Sequence, residues 1–186
     1  LMQEVQRQKS ASSDNSQTDC TIPGGVFVSR HKWVRERFGD AALADLRIRL
    51  AARWEAPLPG IFTHMTQYPA ALLVMLDTVI DETFRAKIPD VLRELGRYSA
   101  LGNHSRSSST FDDLDVHEYF ERAARNFAKY QNFATASYDR RSNTAGRFIV
   151  LKPRFHHPTY CATSIGYYEQ CVLLHRAASV IIRESA

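Results

Sequence analysis

The last third of the chain constrains the fold most, because it orders a strand, a tight turn, a second strand, an aromatic helix and a final apolar strand without interruption. Thr135-Ala136-Ser137-Tyr138 leads through Ser142-Asn143-Thr144-Ala145-Gly146 into Arg147-Phe148-Ile149-Val150-Leu151. Tyr160-Cys161 to His175 then reads as a helix, and Ser179-Val180-Ile181-Ile182 as a last strand. Tyr138, Phe148 and Val150 alternate with polar or smaller residues, as strands with one buried face do. This order suits a domain that encloses a ligand better than one that cuts a substrate.

Upstream, the pattern is helical. Phe27 to Phe38 predicts a helix that Gly39 ends, and Asp40 caps a second helix on which Leu43, Leu46, Leu50 and Trp54 recur at three- and four-residue spacing. Two prolines and a glycine make Glu55 to Gly60 a loop. From Pro69 to Phe84 a helix is apolar around most of its circumference, which predicts a central, buried position. Val91, Leu92, Leu95, Tyr98 and Leu101 continue the helical period to Gly102, and the serine-rich stretch from Asn103 to Thr110 reads as an exposed loop. Asp115 then opens an amphipathic helix with Val116, Tyr119, Phe120, Ala123, Phe127 and Tyr130 on one face. Gly166 lies inside the last helix, where glycine costs about 1 kcal/mol relative to alanine unless close packing or a ligand needs the space.

The fold class expected is α+β, with N-terminal helices packed on a small antiparallel sheet and a strand-turn-strand-helix-strand unit at the C-terminal end. With 186 residues, 44% of them hydrophobic, the chain can bury one substantial core. Residues 1–22 are polar after Val5 and read as a disordered tail or linker, which leaves 23–186 as a single domain.

Charge and cysteine usage narrow the function classes. The net charge of +4 is scattered along the chain rather than gathered in a block, so nucleic acid is not an expected partner. Cys20, Cys161 and Cys171 form neither an even disulfide framework nor a zinc-knuckle spacing, and no apolar run is long enough for a membrane span. A cytoplasmic protein with no membrane partner is the expectation.

Catalytic signatures are absent: the chain has no Gly-x-Ser-x-Gly, phosphate-binding glycine loop or His-Glu-x-x-His. Asp77, Asp81 and Glu82 sit on successive turns and read either as an acid pair or, at least as well, as a solvated helix edge. Cys171 and His175 share adjacent helical turns, the spacing of two zinc ligands, but Cys161 lies about 80° away around an ideal helix, so no metal site is expected and zinc remains only a weak candidate for that pair. Cys161 is expected to be buried, with His156 and His157 in a solvated loop.

The residues Glu94-Leu95-Gly96, the helix Asp115 to Tyr130, and Pro158-Thr159-Tyr160-Cys161 through Gly166-Tyr167-Tyr168-Glu169 to Ala177-Ala178 resemble one superfamily of ligand-binding domains. It comprises haem-nitric-oxide-binding-like domains, vinyl-reductase-type sensors, the sensor domains of aromatic-responsive activators, a myxobacterial paralogous family and TRAPP-like subunits. The resemblance spans roughly residues 25 to 185. It implies a non-catalytic bacterial sensor or signalling domain, cytoplasmic and homodimeric, that binds a small apolar or aromatic ligand between helices and sheet and responds through a partner domain. The cavity it implies would be lined by Met75, Val79, Tyr119, Phe120, Phe127, Cys161, Ile165 and Tyr168. Haem-binding members carry Tyr-x-Ser-x-Arg, which this chain lacks, so haem is not expected. The other reading of the same residues is a dimerisation module whose core is filled, with Arg47, Arg49 and Arg53 beside Trp54 as an interface patch.

Overall fold

The apolar helix that the sequence places at the centre is there. In the computed structural model, which describes residues 19–111, 114–175, 177 and 181, and for 106–111 the backbone alone, α2 (Ala70–Phe84) buries Leu72, Leu73, Leu76, Val79, Ile80 and Phe84. Before it come β1 (Thr21–Pro23), α1 (Gly25–Ala51) and β2 (Gln67–Pro69). After it come α3 (Val91–Phe111), α4 (Val116–Tyr130), β3 (Thr135–Arg140), β4 (Gly146–Leu151) and α5 (Pro158–Leu174). The described residues thus form five helices and two antiparallel two-stranded sheets, an α+β fold.

The first hydrophobic cluster joins α1, α2 and α3 through Phe27, Trp33, Val34, Leu46, Leu50, Leu76, Ile80, Val91 and Leu95. Within α1, Gly39 breaks the helical path with φ 86° and ψ 175°, a conformation that favours glycine. The division read from the sequence at this residue therefore stands, with helix on both sides of it.

Three sequence expectations change. Thr21–Pro23 pairs with Gln67–Pro69, Ile22 opposite Tyr68, and both Cys20 and Ile22 are buried. The boundary drawn after residue 22 thus falls inside a strand whose partner lies far along the chain, and no local pattern reveals such a pairing. Residues 1–18 of the expected tail, and residues 179, 180 and 182 of the expected last strand, lie outside the described residues.

The serine-rich stretch is helical to Phe111 rather than a loop. Each serine loses only a fraction of a kcal/mol of helix propensity, and Ser105 Oγ donates back to the Gly102 carbonyl at 3.1 Å. Asn103 Nδ2, on the same turn, donates to Tyr167 Oη at 3.2 Å and ties this part of α3 to α5.

Asp77, read as part of a solvated edge, is wholly buried. Arg30 Nε and Nη2 donate to its two carboxylate oxygens at 2.9 and 3.1 Å, and Arg30 Nη1 donates to Ser99 Oγ at 2.6 Å. Burial pushes the Asp77 carboxyl upward, and the guanidinium opposes that shift. The neighbouring acids do face solvent, with Asp81 paired to Arg85 and Glu82 to Arg53. On the expected interface patch, Arg47 donates to the Pro59 carbonyl and Arg49 pairs with Asp45.

Helices α3 and α5 cross at two glycines. A Cβ on Gly96 would stand 2.0 Å from the Thr163 carbonyl oxygen, and one on Gly166 2.1 Å from that of Arg93. Backbone against backbone leaves no room for a side chain. Close packing therefore accounts for Gly166.

Candidate functional site

Helix α4 carries the capping box its sequence announces: the Asp115 carboxylate accepts from the backbone N–H of His117 and Glu118, and the Glu118 carboxylate accepts from Asp115 N–H at 2.9 Å. This start fixes the rotation of the helix. Phe120 and Phe127 then face the β3–β4 hairpin and α5.

The hairpin register sets Tyr138 opposite Phe148, so both rings project from the same face toward α4. Phe120 lies at the centre of the aromatic layer that results, 5.5 Å from the Tyr138 ring in a stacked arrangement, 5.8 Å from Phe148 and 5.7 Å from Tyr168. Phe148 and Tyr168 are 4.9 Å apart, and Phe127 closes the layer at 5.9 Å from Phe148. The hydroxyl of Tyr168 is pushed far up by burial.

Two buried imidazoles stand at the rim. His117 Nε2 lies 3.0 Å from the Asn143 carbonyl and Nδ1 2.7 Å from the Tyr138 hydroxyl. A carbonyl only accepts, so Nε2 carries the proton, and Tyr138 donates to Nδ1. His117 thus holds the tip of the hairpin. His175 follows α5; its Nδ1 donates to the Leu114 carbonyl at 3.1 Å, and its ring lies 4.4 Å from that of Tyr119. The Tyr119 hydroxyl donates to Cys171 Sγ at 3.0 Å, and burial pushes the Cys171 thiol up to about 12 and the Tyr167 hydroxyl to about 12.

The structure brings some of the expected cavity residues together and separates others. Tyr119, Phe120 and Tyr168 meet in or beside the aromatic layer. Val79 and Met75 belong to the core of α1, α2 and α3. Phe127 bridges the layer to a second cluster built on Cys20, Ala70, Phe133, Ala134 and Phe155. Cys161, expected to be buried, is half-exposed, and with Ile165 it lines an open groove beside Arg93 of α3.

The buried side of α5 is instead Thr163, Gly166 and Cys171. Apolar side chains surround this helix, so their periodicity does not say which side faces inward. The backbone contact at Gly96 and Gly166 decides it.

Cys171 Sγ accepts from the Tyr119 hydroxyl and His175 Nδ1 donates to the Leu114 carbonyl, and among the described residues no three His, Cys, Asp or Glu side chains converge as a metal group. Sequence reasoning did not single out His117. The signal was the capping box, which places residue 117 on the first turn, next to the hairpin.

No protein-family model and no curated protein matches this sequence. Solved structures do match. An H-NOX protein from S. oneidensis in the Fe(II)NO ligation state superposes with a TM-score of 0.60 at 14% identity, over 82% of this chain and 84% of that one. An Fe(II) unliganded H-NOX point mutant from K. algicida superposes at 0.66 and 15% identity, over 88% of each chain. The chain has the H-NOX fold. A third H-NOX structure, from work on haem distortion in that family, gives 0.62 at 13% identity over 83% of this chain and 81% of that one. These likenesses correct the expectation of no haem, which rested on the missing motif. The missing Tyr-x-Ser-x-Arg motif is a local pattern, whereas the whole architecture is that of proteins described with Fe(II) and with haem.

The donor chemistry of the aromatic layer fits such a group. Haem iron takes an imidazole as axial ligand, and a porphyrin is held by flat apolar contacts. A haem at this layer would find imidazoles in His117 and His175 and aromatic contacts in Phe120, Tyr138, Phe148 and Tyr168.

Proposed function

We propose that this domain is a non-catalytic, ligand-responsive regulatory module of the sensor type, with haem bound at the aromatic layer between α4, the β3–β4 hairpin and α5. The observation that carries the reading is that layer, with a buried imidazole at its rim, in a chain of H-NOX fold. His117 would hold the haem iron, because it is the imidazole bonded to a ring of the layer, that of Tyr138. His175 is the second.

Haem, when bound, supplies an iron centre that coordinates small gaseous molecules. The protein's own part is a coupling between that site and the hairpin. His117 Nε2–H is the donor to the Asn143 carbonyl in the turn between β3 and β4. If Nε2 is committed elsewhere, that carbonyl loses its donor and the turn is released. Ligand state is thereby converted into hairpin position, and the hairpin presents it to a partner domain or a second subunit. No described helix is long and apolar enough to cross a membrane.

The test is titration of the purified protein with hemin, monitored in the Soret region. A saturating Soret band in the wild-type protein that is lost in His117→Ala and kept in His175→Ala supports the assignment, and the reverse pattern transfers it to His175. No Soret shift in any variant overturns the haem reading.

A second reading, a dimerisation module with a filled core, is favoured by a different observation. The rings of the layer already touch one another, and Ile61 and Met65 are 80% and 90% exposed on the loop that precedes β2. A stable dimer without haem affinity, dissociated by Ile61→Ser with Met65→Ser, would select it.

A further inference from the structure

Cys161 and His156 form a pair that the ligand-binding reading does not use. Cys161 sits on the second turn of α5 with its sulfur 3.5 Å from His156 Nε2, and the other two cysteines, Cys20 and Cys171, are buried. Pro158 begins the helix and the His157 side chain caps it, which holds the thiol and the exposed His156 on the same side. The pair opens into a groove of about 380 Å³ lined by Arg93, His156, Pro158, Cys161, Ala162 and Ile165.

The groove combines three chemical elements. The imidazole nitrogen can receive the thiol proton, giving a thiolate beside an imidazolium, the arrangement that makes a cysteine nucleophilic at neutral pH. Arg93 adds a second positive group, and none of the lining residues is acidic. The Glu169 carboxylate stands 3.7 Å from Arg93 Nη2 and is shared with Arg97 at 2.9 Å, while Asp81 and Asp90 line the adjoining groove that shares Arg93 and Ala162. Pro158, Ala162 and Ile165 provide an apolar wall. Such a surface fits a small molecule with an apolar body and a negative charge.

We propose that Cys161 is a thiol–disulfide exchange site for small anionic disulfides, with His156 as its proton acceptor and Arg93 as the anchor for the anionic group. In the exchange, Cys161 gives its proton to His156 and its sulfur attacks one sulfur of the disulfide. The disulfide bond breaks, a mixed disulfide forms on Cys161, and the other half leaves as a thiolate that takes a proton from His156 or water. Two electrons pass from Cys161 to the departing sulfur, and no further oxidant is required. The proposal is independent of haem, since none of the residues that line the groove belongs to the aromatic layer.

The experiment uses the folded protein and two probes, 5,5′-dithiobis(2-nitrobenzoate) as the anionic disulfide and hydroxyethyl disulfide as the neutral one. The expected result is one fast equivalent per chain with the anionic probe, located on the Cys161 peptide by mass and absent in Cys161→Ser. An ordinary thiol is only a few per cent ionised at pH 7, so the paired thiol is expected to react about tenfold faster than a free cysteine there.

His156→Gln is expected to remove that advantage and to move the pH–rate profile up to that of an ordinary thiol, whereas Arg93→Gln is expected to lower only the ratio of anionic to neutral rates. A fast phase that survives Cys161→Ser overturns the site. A Cys161 rate equal to that of free cysteine, or unchanged by His156→Gln across pH, overturns the pair. An anionic-to-neutral ratio unchanged by Arg93→Gln overturns the assigned class of disulfide.

Discussion

The helical half of the molecule and the hairpin half both bury aromatic rings, but they satisfy polar groups in opposite ways. Among the described residues, the core around α1, α2 and α3 contains a fully buried ion pair, Arg30 with Asp77, braced by Ser99, which also meets the buried Ser29 hydroxyl. Around α4, the hairpin and α5 the polar groups are attached to the rings themselves, as the Tyr138 hydroxyl on His117 and the Tyr119 hydroxyl on Cys171 show. A core of the first kind resists opening, because separating the helices strands a charge. A layer of the second kind can rearrange one ring at a time, each at the cost of a single neutral hydrogen bond. A ligand is therefore expected to enter the hairpin half and leave the helical half intact.

The sharpest way to break this comparison is Asp77→Ala. It leaves the Arg30 guanidinium buried without its partner and is expected to cost about 3–5 kcal/mol in urea unfolding. An apolar pair, Arg30→Met with Asp77→Leu, is expected to recover most of that loss. Should the single and double variants prove equally unstable, the contrast between the halves does not rest on the charge.

His31 tests the helical half by pH. Burial, with Arg47 and Arg35 nearby, lowers its imidazole from 6.5 to about 4. The unfolded chain therefore binds the extra proton first. The contribution is fully present above pH 6.5 and is lost as the pH falls toward 4, a difference of about 2–3 kcal/mol after allowance for partial exposure. His31→Leu is expected to flatten the stability profile between pH 4 and 6.5, measured by thermal unfolding.

The joint between the halves is probed by Gly166→Ala. Alanine is the better helix former by about 1 kcal/mol, yet its Cβ would meet the Arg93 carbonyl oxygen at 2.1 Å. The clash is expected to dominate and to destabilise by about 1–3 kcal/mol. A stabilised variant would show that the crossing of α3 and α5 is looser than the structure has it.

Smallest of all is Tyr119→Phe in the hairpin half. Removing a hydroxyl that donates to sulfur, a weak acceptor, is expected to cost about 0.5–1 kcal/mol. A loss as large as that of Asp77→Ala would mean that the two halves satisfy their polar groups with equal stringency.

Much of the fold was legible along the chain, and less of the site. The apolar circumference of α2, the Asp115 capping box, the break at Gly39 and the hairpin turn are local patterns, and each lies where the sequence puts it. The eight expected cavity residues were chosen by helical face, a criterion that says which residues share a stripe and not what lies opposite. Thus Val79 entered the helical core, Tyr168 the aromatic layer and Cys161 an open groove beside Arg93.

What the sequence by itself determined is the order of elements, their periods and their caps, because propensity, side-chain spacing and capping act within a few residues. Tertiary structure alone decided that Asp77 is half of a buried ion pair, that β1 finds β2, that Gly96 and Gly166 turn α5 toward α3, and that His117 reaches the hairpin tip. Each depends on partners far apart in the chain, and their pairing is fixed only when the halves pack and exclude water.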